Sequence, residues 1–140
     1  MKNLEKGMNK DTLNISKIET YLNSILDGIV SNNTFFTTIP DKATVNASNW
    51  QDMVLITMPE GISDFEAYGQ GHIFVILYAR PLESGKKNVH RMSTLEVKLN
   101  EVIASAKDKH YSIIRSDVFA DYDDDINWHC NVVELILKVF

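Results

Sequence analysis

The stretch His72 to Arg80, HIFVILYAR, is apolar without interruption from Ile73 to Ala79, so both of its faces need cover. Such a strand belongs in the middle of a sheet, with something packed on each side. Pro81 ends it, because proline cannot donate to a sheet ladder. Two helices supply the obvious cover. In Val89 to Lys107, Met92, Leu95, Leu99, Val102, Ile103 and Ala106 fall three and four residues apart, the period of one apolar stripe. Glu96, Lys98, Asn100, Glu101, Ser105 and Lys107 fill the opposite face, which is expected to stay in water. Ser93 and Glu96 have the spacing of a capping box, with Met92 and Val97 as its hydrophobic staple, and a start near Asn88 is the alternative. Earlier in the chain, Ile15, Ile18, Leu22, Ile25, Leu26 and Ile29 repeat with the same period. Asp11, Thr12 or Asn14 can cap that helix, and Ser31 to Thr34 stops it just past Gly28.

The remaining strands are shorter signals. Phe35 to Ile39 is a β-prone run closed by Pro40-Asp41, and Lys42 to Asn49 reads as a polar connection. Met53 to Met58 is a nearly continuous apolar strand, stopped by Pro59 and the Glu60-Gly61 turn. Ile62 to Gly71 fits no period, and Gly69 and Gly71 point to a bend or bulge before the central strand. Tyr111 to Ile114, with Val118-Phe119, makes a further strand ahead of an acidic turn, Asp121 to Asp125. Trp128 to Phe140 closes the chain, with Val133, Leu135, Leu137 and Val139 on one face and Asn131, Glu134 and Lys138 on or near the other, which Val132 and Ile136 keep partly apolar. The expected fold is α+β: a mainly antiparallel sheet with both helices on one face, in the order α-β-β-β-α-β-β. Residues 1–11 are expected to be a flexible tail, and residues 12–140 a single domain.

Charge and composition narrow the function. A net charge of −5, from 19 acidic and 14 basic residues, leaves no basic footprint for nucleic acid. No apolar run approaches the ~18 residues that span a bilayer. The opening MKNLEKGMNKD has no apolar core of a signal peptide, and a single cysteine, Cys130, excludes an internal disulfide framework. The expectation is a cytoplasmic protein without a membrane or a specific nucleic-acid site.

Motifs for chemistry fail one by one. Asp121, Asp123, Asp125 and Asn127 alternate as in a calcium loop, but Ile126 and Val132 occupy the positions that require glycine and glutamate. His129 and Cys130 are adjacent, so a strand points them to opposite faces, away from a shared metal or a shared mechanism. Gly69-Gln-Gly71 lacks the third glycine and the following helix of a phosphate loop. Glu60, Asp64 and Glu66 are carboxylates near one another, read as a solvated loop rather than an acid–base pair. Trp50 and Trp128 read as packing at strand ends. No catalytic, cofactor or metal residues are expected.

From Ile15 to Phe140 the layout resembles the tail terminator, or tail completion, proteins of long-tailed bacteriophages. The resemblance is carried by the helix Ile15 to Ile29, the strand Trp50 to Met58, the strand Ile73 to Arg80, and the helix Met92 to Ala106. The closing strand Trp128-His-Cys-Asn-Val-Val-Glu-Leu completes it. It implies a non-enzymatic structural protein of a phage or prophage, present in the host cytoplasm and the virion. Such a protein would oligomerise, possibly as a hexameric ring, and contact tail-tube and head-neck proteins. Type III secretion chaperones share the size and acidity, but they close with a helix where this chain ends in a strand. An unrelated α+β interaction domain of a mobile element is the third reading. A joining role places the site on a surface: the sheet edges, and the loop Pro59 to Gly71 with Glu60, Asp64, Phe65, Glu66 and Tyr68.

Overall fold

A computed structural model describes residues 12–140; the expected tail at 1–11 lies outside the described residues. The doubly apolar strand, β4 (Gly69–Ala79), takes the interior of a six-stranded sheet. It pairs antiparallel with β2 (Asp52–Thr57) on one side and β6 (Trp128–Val139) on the other. The edges are β1 (Thr34–Phe36), parallel to β2, and β5 (Tyr111–Asp123), antiparallel to β6. A three-residue strand, β3 (Ile62–Asp64), folds back onto the start of β4. The fold is α+β with a mostly antiparallel sheet.

Helices α1 (Ile15–Leu26) and α3 (Val89–Ser105) lie on one face. Ile18, Leu22 and Leu26 of α1 and Met92, Leu95, Leu99 and Val102 of α3 are buried there. They meet the inward rows of the sheet: Val54 and Ile56, then Ile73, Val75 and Leu77, then Val133, Leu135, Leu137 and Val139. This is the stripe-on-sheet arrangement that both periodicities predict.

The structure departs from expectation in the order and at the helix ends. The order is α-β-α-β-β-β-α-β-β, with a short helix α2 (Lys42–Ala47) in the expected polar connection and β3 as an extra strand. Parallel strands cannot be joined by a tight turn, so the β1-to-β2 crossover needs such an element. Asp41 caps α2 by accepting from the Thr44 amide at 2.8 Å. The cap of α3 is Asn88, whose Oδ1 accepts from Arg91 N at 3.0 Å, and not the Ser93–Glu96 box. Val97 is 52% exposed while Met92 is buried, so the two form no staple. Glu96 turns toward the sheet and hydrogen-bonds Asn131, which stands on the helix side of β6. In α1, Asn14 is the cap and Leu26 the last helical residue. Gly28, at φ +76°, turns the chain out of the helix, leaving Ile29 exposed and Val30 buried in its stead. No bulge interrupts β4; Gly71 is required because a Cβ there would lie 2.6 Å from the Gly61 carbonyl oxygen. The bulge falls in β5, between Arg115 and Asp117.

Candidate assembly surface

Every second residue of β4 faces away from α1 and α3, and the described residues cover only one end of that side. There, α2 and the β5–β6 turn close a small second core of Val45, Met53, Leu55, Tyr78, Ile126, Trp128 and Cys130. Arg80 ties the layer together. Its Nε donates to the Trp50 carbonyl at 2.6 Å, Nη2 donates to the Val45 and Ser48 carbonyls at 3.2 Å, and its guanidinium lies 4.8 Å from the centre of the Trp128 ring. Trp50 packs on Phe35 at 5.6 Å, so both tryptophans work at strand ends.

Beyond Ile76 the cover stops. Phe74 and His72 in β4, and Glu134 and Ile136 in β6, are half-buried, with no element of the described residues above them. Opposite Ile136 in β5 stands Ile114, 55% exposed, and opposite Val132 stands Phe119, 47% exposed. His72 Nδ1 and Glu134 Oε2 lie 2.6 Å apart across the strands, so these two polar groups satisfy each other.

The loop residues extend the same face. Lys138 follows Ile136 by two in β6 and so shares its side. Its ammonium lies 5.3 Å from the centre of the Tyr68 ring. Tyr68 packs on Phe65 at 5.3 Å and on Phe140 at 6.5 Å, giving a row of aromatics at the end of the sheet. Phe65 is 53% exposed at the tip of the β3–β4 hairpin, between exposed Asp64 and Glu66. Asp64 Oδ1 accepts from Glu66 N at 2.8 Å, which holds Glu66 at φ +68° and fixes the tip. Glu60 is exposed before β3, on the other flank of the hairpin. Of the residues named from sequence, Phe65 and Tyr68 come together and Asp64 and Glu66 flank them. The open rows of Phe74, Ile114, Phe119 and Ile136 were missed, although a doubly apolar strand whose helices share one side already implies them.

Groups capable of chemistry are put to other uses. Burial pushes the Cys130 thiol from 9.0 up to about 12, and Asp121 and Asp123 add to the rise. Burial likewise raises the Tyr78 phenol, which donates to Asp123 Oδ2 at 2.9 Å. Asp123 Oδ1 also accepts from Asp125 N at 2.9 Å, so both oxygens of this carboxylate at the end of β5 are engaged within the chain. Among the described residues, no three His, Cys, Asp or Glu side chains converge as a metal would require. No described helix is long and apolar enough to cross a membrane.

Two results are expected here. Between pH 9 and about 12 the unfolded chain gives up the thiol proton that the folded chain keeps, so stability falls as pH rises through that window. Iodoacetamide at about pH 8 should therefore label Cys130 slowly in the native protein and fully in urea, whereas equal rates would show an open thiol. Separately, a chelator of divalent ions should leave Tm unchanged. A rise of several degrees on adding calcium would show that Asp121 to Asp125 coordinate it.

No protein-family model matches this sequence, and no curated protein matches it.

Proposed function

We propose that the chain is a structural assembly protein of the phage tail-terminator kind. Copies associate into a ring that caps a tail tube and joins it to the head, in the host cytoplasm and then in the virion. It performs no catalysis. The observation that carries this reading is the uncovered half of the sheet. The central strand needs cover on both faces, and among the described residues none covers Phe74 and Ile136. Apolar ground that grades into an aromatic row, with Asp64 and Glu66 on its rim, has the composition of a protein–protein interface. In this reading Phe65 and Tyr68 anchor the hairpin on the next subunit or on the tail tube. The acids Glu60, Asp64 and Glu66 set register and reject wrong partners.

Replacing Phe65 and Tyr68 together by serine tests the hairpin. Because both sit at a tip, thermal stability is expected to change little, while the assembly dissociates at higher protein concentration. Unchanged oligomer size by light scattering, together with full tail joining in a complementation assay, would remove the hairpin from the interface.

A further inference from the structure

The edge strand β5 carries a second surface, its outward backbone edge, beside the open sheet face. From Arg115 to Tyr122 its side chains are exposed on both faces of the sheet. Val118, Phe119 and Tyr122 are apolar or aromatic among them. A free edge of thirteen residues would ordinarily pair with any strand it met. This one is guarded. Asp117 Oδ1 accepts from the Val118 amide at 2.8 Å, and Asp121 Oδ1 accepts from the Tyr122 amide at 2.8 Å. Alternate residues of an edge strand send their N–H and C=O outward, and the carboxylates mark Val118 and Tyr122 as members of that set.

Charge decides what can pair here. An antiparallel copy of β5 centred on Phe119 sets Asp117 against Asp121, and one centred on Ala120 sets Asp117 against Asp123. Like charges placed directly opposite are destabilising. Centred on Val118, Asp121 would meet Arg115, but the bulge puts these two on opposite faces. A second β5 is therefore a poor fit. On the face away from the helices β5 reads Ile114, Asp117, Phe119, Asp121, Asp123, acids interleaved with apolar groups.

We propose that this edge accepts an extended segment of a different protein, alternating basic and apolar residues, as an added strand. Its Lys or Arg side chains draw the Asp117 and Asp121 carboxylates off the Val118 and Tyr122 amides, which then donate to the incoming backbone. The apolar positions of the segment then lie on the other face of the sheet and cover Val118 and Tyr122. The inference rests on the reading of the chain as a joining protein, but it concerns a hetero-partner and not the ring contact.

The test uses the full chain and a capped nine-residue peptide alternating lysine and valine, with a glutamate–valine peptide as its counterpart. The lysine peptide is expected to bind, to slow hydrogen exchange at the Val118 and Tyr122 amides, and to weaken with salt; the glutamate peptide is expected not to bind. Asp117→Asn with Asp121→Asn should weaken the lysine peptide at least ~fivefold, since two cross-strand ion pairs are lost. Glu83→Gln with Glu101→Gln, both exposed and outside β5, removes the same charge and should leave binding unchanged. Equal loss in both double variants would show mere attraction to an acidic protein and overturn the proposal. So would unslowed edge amides, or no binding by the wild type, which would make the carboxylates guards only. Exchange at these two amides is read whatever the oligomeric state, so failure of the ring and failure of the edge site are told apart.

Discussion

Placing lysine at both Phe74 and Ile136 is expected to reduce the protein to monomers while leaving it folded. Both side chains are half-buried on the face away from α1 and α3, where none of the described residues lies above them. In a monomer a lysine there can extend its stem along the sheet and keep its ammonium in water. In an assembly the same two charges would be enclosed without partners, and two apolar anchors would be lost. The combined penalty is roughly 4 kcal/mol or more, about a thousandfold in Kd. Light scattering before and after substitution reads the loss, and far-ultraviolet circular dichroism reads the fold. A folded variant that keeps its oligomer size would remove this face from the contact. Collapse of the fold would mean that the two side chains belong to the core.

Leu99→Ala carries the largest expected effect on stability. Leu99 is 1% exposed, in the middle of the α3 stripe, and faces the inward rows of the sheet. Truncation removes the buried methyl groups and leaves a cavity that the sheet cannot collapse to fill. Urea unfolding should show a loss of ~2–5 kcal/mol. Val97 lies on the same helix two residues earlier and is 52% exposed, so Val97→Ala should stay within about half a kcal/mol. A loss below half a kcal/mol at Leu99 would show that α3 does not bury its stripe against the sheet.

The parts of the fold legible in the sequence were those where burial imposes a period. The stripes of α1 and α3, the doubly apolar β4 and the alternation of Val133 to Val139 each read directly into the core. Where burial imposes nothing, the sequence is silent. In α2 only Val45 is buried, so the helix leaves no stripe; Asp41 three residues before Thr44 was its single local signal. The second half of β5 is held by backbone pairing to β6 with its side chains in water, so only Val118-Phe119 announced it, and Asp121 to Asp123 read as turn although they close the strand. Ser93 and Glu96 had the right spacing for a cap, yet Asn88 lies one turn earlier and Glu96 finds Asn131 across the layer. Tertiary partners outweighed the local motif. The hairpin with Phe65 and Tyr68 was legible because aromatics in a polar loop need a reason. The open sheet face was not, because which residues a face leaves bare depends on pairing register.

The central claim is that each copy of this chain covers the open sheet face of the next, head to tail. Native mass spectrometry of the full 15.9 kDa chain across micromolar concentrations tests it most directly. The account predicts a closed ring of about six subunits, because a head-to-tail contact whose rotation closes forms a ring. A dimer would instead favour a clamp of the secretion-chaperone kind, and a monomer throughout that range would contradict the account.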